Sequence, residues 1–118
     1  DPEKVLEDII ALGCDRILTS GLAPAATEGI ATLRHLNSLA AGRIILLAGG
    51  GITSSNAATV LSGAGLTEIH ASAKKTVGSD MRFRRSNVSM GAPGADEYSR
   101  PVTDPAEVAR IIRAINNL

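Results

Sequence analysis

The chain has 118 residues, 44% of them hydrophobic, with 12 Lys plus Arg against 12 Asp plus Glu; this is the length and composition of one folded domain. Formal neutrality removes the electrostatic reason for a nucleic-acid or membrane-surface partner, and 2% aromatic residues leave no stacking platform for single strands. A lone cysteine, Cys14, excludes an internal disulfide framework, no apolar run nears the roughly 20 residues of a membrane span, and the first residues lack a signal-peptide layout, so a cytoplasmic protein is expected.

In chain order, Asp1 and Pro2 read as an N-cap and a first-turn proline. Val5, Leu6, Ile9 and Ile10 follow at helical spacing, and Gly13 is the stop. Residues 16–20 form a short strand ending at Gly21. Pro24 or Thr27 opens a second helix whose buried side is Ile30, Leu33, Leu36, Leu39 and Ala40, closed by Gly42. Residues 43–48 form the next strand. Its apolar run, 44–48, has no polar face, as expected of a parallel strand covered on both sides. Gly49-Gly50-Gly51 then lets the backbone turn sharply. Thr53, Ser54, Ser55 and Asn56 are candidate caps for a third helix carrying Ala57, Val60, Leu61 and Ala64.

Residues 68–73 form a third strand that alternates. Ile69, Ala71 and Ala73 point one way; Glu68, His70 and Ser72 point the other. Residues 74–103 read as a long βα loop with an arginine cluster, Arg82, Arg84 and Arg85. Its Met81, Phe83, Val88, Met90 and Tyr98 indicate a packed loop. Asp104-Pro105 repeats the opening device of the chain, with Glu107 placed for a capping box. The last helix presents Val108, Ile111, Ile112 and Ile115 as a stripe.

Helices alternating with strands indicate an α/β fold with a parallel sheet. A flavodoxin-like open sheet is one solution. A segment of a (β/α)8 barrel fits better, because Glu68, His70 and Ser72 need a polar interior. A whole barrel takes about 250 residues. The expectation is therefore a single partial TIM-barrel-like domain over residues 1–118. It would be the C-terminal portion of a barrel, with about three strands and four helices.

Leu18-Thr19-Ser20-Gly21, Glu28-Gly29, Gly49-Gly50-Gly51-Ile52, His70-Ala71-Ser72-Ala73, Met81-Arg82-Phe83-Arg84, Met90-Gly91 and Glu97-Tyr98 occur here in that order. In this the chain resembles the CutC copper homeostasis family across almost its whole length. The resemblance implies a TIM-barrel-like fold, a cytoplasmic protein, frequent oligomers, copper binding or an indirect copper role, and an N-terminal half-barrel beyond this chain.

The site expected from the residues is an anion pocket. The loop after a barrel's penultimate strand commonly binds phosphate, and amides at a helix start favour an anion. Gly49, Gly50, Gly51, Thr53, Ser72, Lys74 (or Lys75) and Arg82 are its candidate residues. The ligand would be a small phosphorylated or carboxylated metabolite. His70 is the candidate general acid or base. Cys14, Met81 and Met90 do not cluster by spacing, so no metal ligand set is assigned. The open edges of a partial barrel call for a second copy or the missing half-barrel as partner.

Overall fold

The computed structural model describes residues 1–85, 87–88, 91, 94 and 96–118. Asp1 caps α1 (Pro2–Ala11) by accepting from the Glu3 and Lys4 amides. Leu6 is the buried residue of α1. The chain then passes through β1 (Arg16–Thr19), α2 (Ile30–Ala40), β2 (Ile45–Ala48), α3 (Ala57–Ala64) and β3 (Glu68–Ile69). These three strands make one parallel sheet in the order β1-β2-β3.

The helix α2 starts later than Pro24 or Thr27. Residues 21–29 form a compact loop instead, because Gly21 and Gly29 cross almost in contact. A Cβ on Gly29 would lie 1.9 Å from the Ser20 carbonyl oxygen, and one on Gly21 would lie 2.4 Å from that of Gly29. The Ala26 amide donates to the Gly50 carbonyl at 2.9 Å, which ties this loop to the glycine loop. At its far end α2 closes through Ala41 and then Gly42, both with positive φ.

The β2 strand is covered on one face only. Leu46 and Ala48 are buried under the helices, while Ile45 is 37% exposed and Leu47 is half-buried. Leu18, paired with Leu47, is 55% exposed on that same open face. Arg16 and Glu68 form a bidentate ion pair at 2.8 and 3.0 Å. Both are on the open face by register, beside Ile45 and Leu47. The core lies on the other side, where Leu33 and Val60 are fully buried. Ile111 is also buried with this core.

The third strand is shorter than residues 68–73. Parallel pairing ends with the His70 amide on the Ala48 carbonyl, and Ala73 takes a positive φ. The stretch 74–103 is not a plain loop. It holds an antiparallel hairpin of β4 (Lys74–Gly78) and β5 (Ser99–Thr103), with Lys74 opposite Thr103. Pro101 is tolerated because both strands of a two-stranded ribbon are edges. At the tip, Arg84 lies over the Tyr98 ring at 4.1 Å. Met81 and Phe83 are 61% and 66% exposed, so the tip packs locally around Tyr98 and not into the body. Met90, expected to pack this stretch, lies outside the described residues.

The last helix, α4 (Pro105–Asn116), starts at the Asp104 cap, which accepts from the Ala106 amide. The capping box does not close. The Asp104 amide donates to Ala73, and Glu107 reaches Ser54 instead.

Candidate functional site at the strand ends

The ends of β2 and β3, the start of β4 and the first turn of α4 enclose a cleft of about 420 Å³. Gly51, Ile52, Thr53, Ser72, Ala73, Lys74, Lys75, Asp104, Glu107 and Arg110 line it. Four expected site residues, Gly51, Thr53, Ser72 and Lys74, therefore come together here.

The three glycines have different jobs. Gly49 is buried, and its amide donates to Thr19. A Cβ there would meet Leu18 Cδ1 at 2.6 Å, so the position serves packing on the open face. Gly50 and Gly51 have φ of 104° and 69° and are exposed. Their carbonyls accept from Ala26 and from Asn56 Nδ2. Their amides have no protein partner among the described residues.

The Thr53 and Ser54 amides are already taken. Thr53 donates to Asn56 Oδ1 at 2.8 Å, and Ser54 donates to Glu107 Oε1 at 2.7 Å. The Ser54 hydroxyl adds a bond to Glu107 Oε2 at 3.1 Å, and Arg110 Nε donates to that oxygen at 2.8 Å. The Ser54 amide, then Arg110 and the Ser54 hydroxyl, hold the Glu107 carboxyl below its usual range. Burial raises the Asp104 carboxyl, but the Ala106 amide, Lys75 and Arg110 more than reverse this and leave it lowered. Lys75 Nζ is 3.3 Å and Arg110 3.6 Å from Asp104. No carboxylate pairs with Lys74 among the described residues.

His70 and Arg82 are not part of this cleft. His70 is exposed on the open face against Gly49, where a Cβ would lie 3.4 Å from the His70 Cβ. Glu68 engages Arg16 instead of His70. Arg82 is exposed in the hairpin tip. Asp104, Glu107 and Arg110 were missed as site residues because Asp104-Pro105 followed by Glu107 reads as a helix cap. The signal that marks them is Arg110, three residues after Glu107 and six after Asp104. The i,i+3 spacing puts Arg110 beside Glu107, and the same guanidinium reaches the Asp104 cap at 3.6 Å.

Lowered carboxyl pKa values have a consequence in acid. The stabilisation they carry is present above the unfolded carboxylate range of about 4 and is lost as pH falls through the folded values. Glu7, Glu68, Asp96, Asp104 and Glu107 are all lowered. The melting temperature should fall between about pH 5 and pH 3. Glu107→Gln should flatten that fall, and equal slopes in parent and variant would contradict the assignment.

Among the described residues no helix is long and apolar enough to cross a membrane. The CutC family's sequence model matches residues 1–75. The chain is 48% identical over 118 residues to a CutC family protein of Bacteroides thetaiotaomicron, covering 99% of this chain and 47% of the relative. It is 46% identical over 116 residues to the human copper homeostasis protein cutC homolog, covering 98% of this chain and 42% of the relative. The crystal structure of the putative copper homeostasis protein CutC from Streptococcus agalactiae superposes with a TM-score of 0.55 at 30% identity. That match covers 58% of this chain and 33% of the other. The chain thus spans about half the length of the curated relatives it matches. Its three parallel strands and four helices form a partial TIM-barrel-like fold, and the chain belongs to the CutC family.

Proposed function

We propose that the protein acts in copper homeostasis, as the names of its relatives say of them, through a cytoplasmic pocket for a small anionic metabolite. One observation carries this reading. Lys74, Lys75 and Arg110 converge on a cleft bordered by Gly51, and the Gly51 amide has no protein partner among the described residues. Cations and bare amides at strand ends are the chemistry that takes phosphate or carboxylate. The remaining strands of the barrel, or a second copy, would complete the walls on the open face.

Direct copper ligation by this chain fits its residues poorly. Among the described residues no three His, Cys, Asp or Glu side chains group to hold a metal. Cuprous ion prefers thiolate and thioether donors. Cys14 is exposed at the opposite end of the strands from the cleft, and Met81 is in the hairpin tip.

Two titrations test the reading. Inorganic phosphate should shift the amide resonances of Gly50, Gly51 and Lys74 saturably. Cuprous ion under reducing conditions should show no tight equivalent that Cys14→Ser and Met81→Leu abolish. A tight cuprous site lost in those variants, or amides untouched by phosphate, would overturn it.

A further inference from the structure

We propose, resting on that pocket, that its ligand is a phosphate monoester and that it binds by displacing the Glu107 carboxylate. Glu107 already behaves as a bound oxyanion. It accepts from the Ser54 amide, the Ser54 hydroxyl and Arg110, and its side chain is only 17% exposed. Asp104 occupies Lys75 and Arg110 in the same way. Two acids of the cleft thus already occupy the Ser54 amide, Lys75 and Arg110. Its other donors, the Gly51 amide and Lys74, have no protein acceptor among the described residues.

This arrangement discriminates between acids. A carboxylate in solution offers Ser54 and Arg110 no more than Glu107 does. Glu107 is tethered beside them, at an effective concentration on the order of millimolar or above. A free carboxylate thus gains little by exchange. A phosphate monoester carries a charge of about −1.5 to −2 and three acceptor oxygens. It can take the Ser54 seat with one oxygen and reach the Gly51 amide and Lys74 with the others. The released Glu107 stays in the first turn of α4, where a negative charge suits the helix dipole. The ligand would thereby also free α4 from its contact with the loop before α3.

The experiment is an amide-resonance titration of the full chain with inorganic phosphate and, separately, acetate. The parent should respond to phosphate at Gly50, Gly51 and Ser54 and at least about tenfold more weakly to acetate. Glu107→Gln should bind phosphate about tenfold more tightly, the worth of one charge-assisted hydrogen bond, and acetate should now shift Ser54. Glu107→Asp keeps the charge but is too short to hold Ser54, and it should tighten phosphate as well. Tightening in Glu107→Gln without tightening in Glu107→Asp would reduce the effect to long-range charge and overturn displacement. Equal phosphate affinity in parent and Glu107→Gln, or acetate binding the parent as well as phosphate does, would also overturn it while leaving the pocket standing. Silence at these amides with both anions in all variants would remove the pocket and the inference together.

Discussion

Gly29→Ala should destabilise the protein by about 3 kcal/mol or more and lower its melting temperature by roughly 10 °C. The cause is a backbone collision. The new Cβ would lie 1.9 Å from the Ser20 carbonyl oxygen and 2.9 Å from the Gly21 Cα. No side-chain rotation relieves this, because both obstacles are main chain. One of the two crossing segments must move. Residues 21–29 are tied to the glycine loop by the Ala26 amide on Gly50, so the strain reaches the candidate site as well. A domain of this size has a stability of about 5–15 kcal/mol, so the loss is a large share of the total. Gly78→Ala is the control. It has no neighbour within 4 Å and no positive φ, and it lies in β4. It should be neutral or stabilising by up to about 1 kcal/mol. Urea midpoints for the two variants decide the matter. A Gly29→Ala protein as stable as Gly78→Ala would mean that the crossing at Gly21 and Gly29 is not a constraint.

The helices and the parallel sheet were legible because period and caps agreed. Asp1-Pro2 and Asp104-Pro105 cap α1 and α4 as their residue types dictate, and the apolar run in β2 gives its place. Other features depended on contacts distant in sequence. The α2 start is set by Gly21 meeting Gly29 and by Ala26 meeting Gly50, which no local pattern at Pro24 reports. The hairpin escaped because Lys74-Lys75-Thr76-Val77-Gly78 has little apolar alternation and β5 contains Pro101, a residue that argues against a strand in most sheets. The single-sided burial of β2 is likewise invisible locally, since a strand reads as fully apolar whether or not its second cover is present.

The site shows the same division. The sequence places Gly51, Thr53, Ser72 and Lys74 at strand ends, and the fold gathers them. It cannot show that Glu107 fills the Ser54 amide, because the pair is 53 residues apart. Arg82, chosen for its position in an arginine cluster, lies in a tip that folds around Tyr98. Charge density in a loop indicates a partner, and here Tyr98 takes Arg84 on its ring while Asp96 is lowered in part by the Arg84 charge.

The open sheet face should make the chain associate. Leu18 and Ile45 are exposed and Leu47 is half-buried on one surface, and among the described residues β1 and β3 each have an unpaired edge. Covering each aliphatic side chain contributes about 1–2 kcal/mol, and open edges template pairing with another chain. Light scattering at tens of micromolar should therefore give a mass above the 12.1 kDa of one chain. Leu18→Glu with Leu47→Lys replaces two of these side chains. In the register, position 47 faces both Leu18 and Glu68, so the new lysine gains acidic neighbours on both sides. Association should weaken by about 2–4 kcal/mol, roughly 30- to 1,000-fold. The far-UV spectrum should be kept, because neither side chain enters the core. Co-expression with the N-terminal half of the Bacteroides thetaiotaomicron relative should give a one-to-one complex instead of self-association, since both would cover the same face. A parent protein that is monodisperse at 12.1 kDa, or a double variant that associates as the parent does, would show that this face is not where a partner sits.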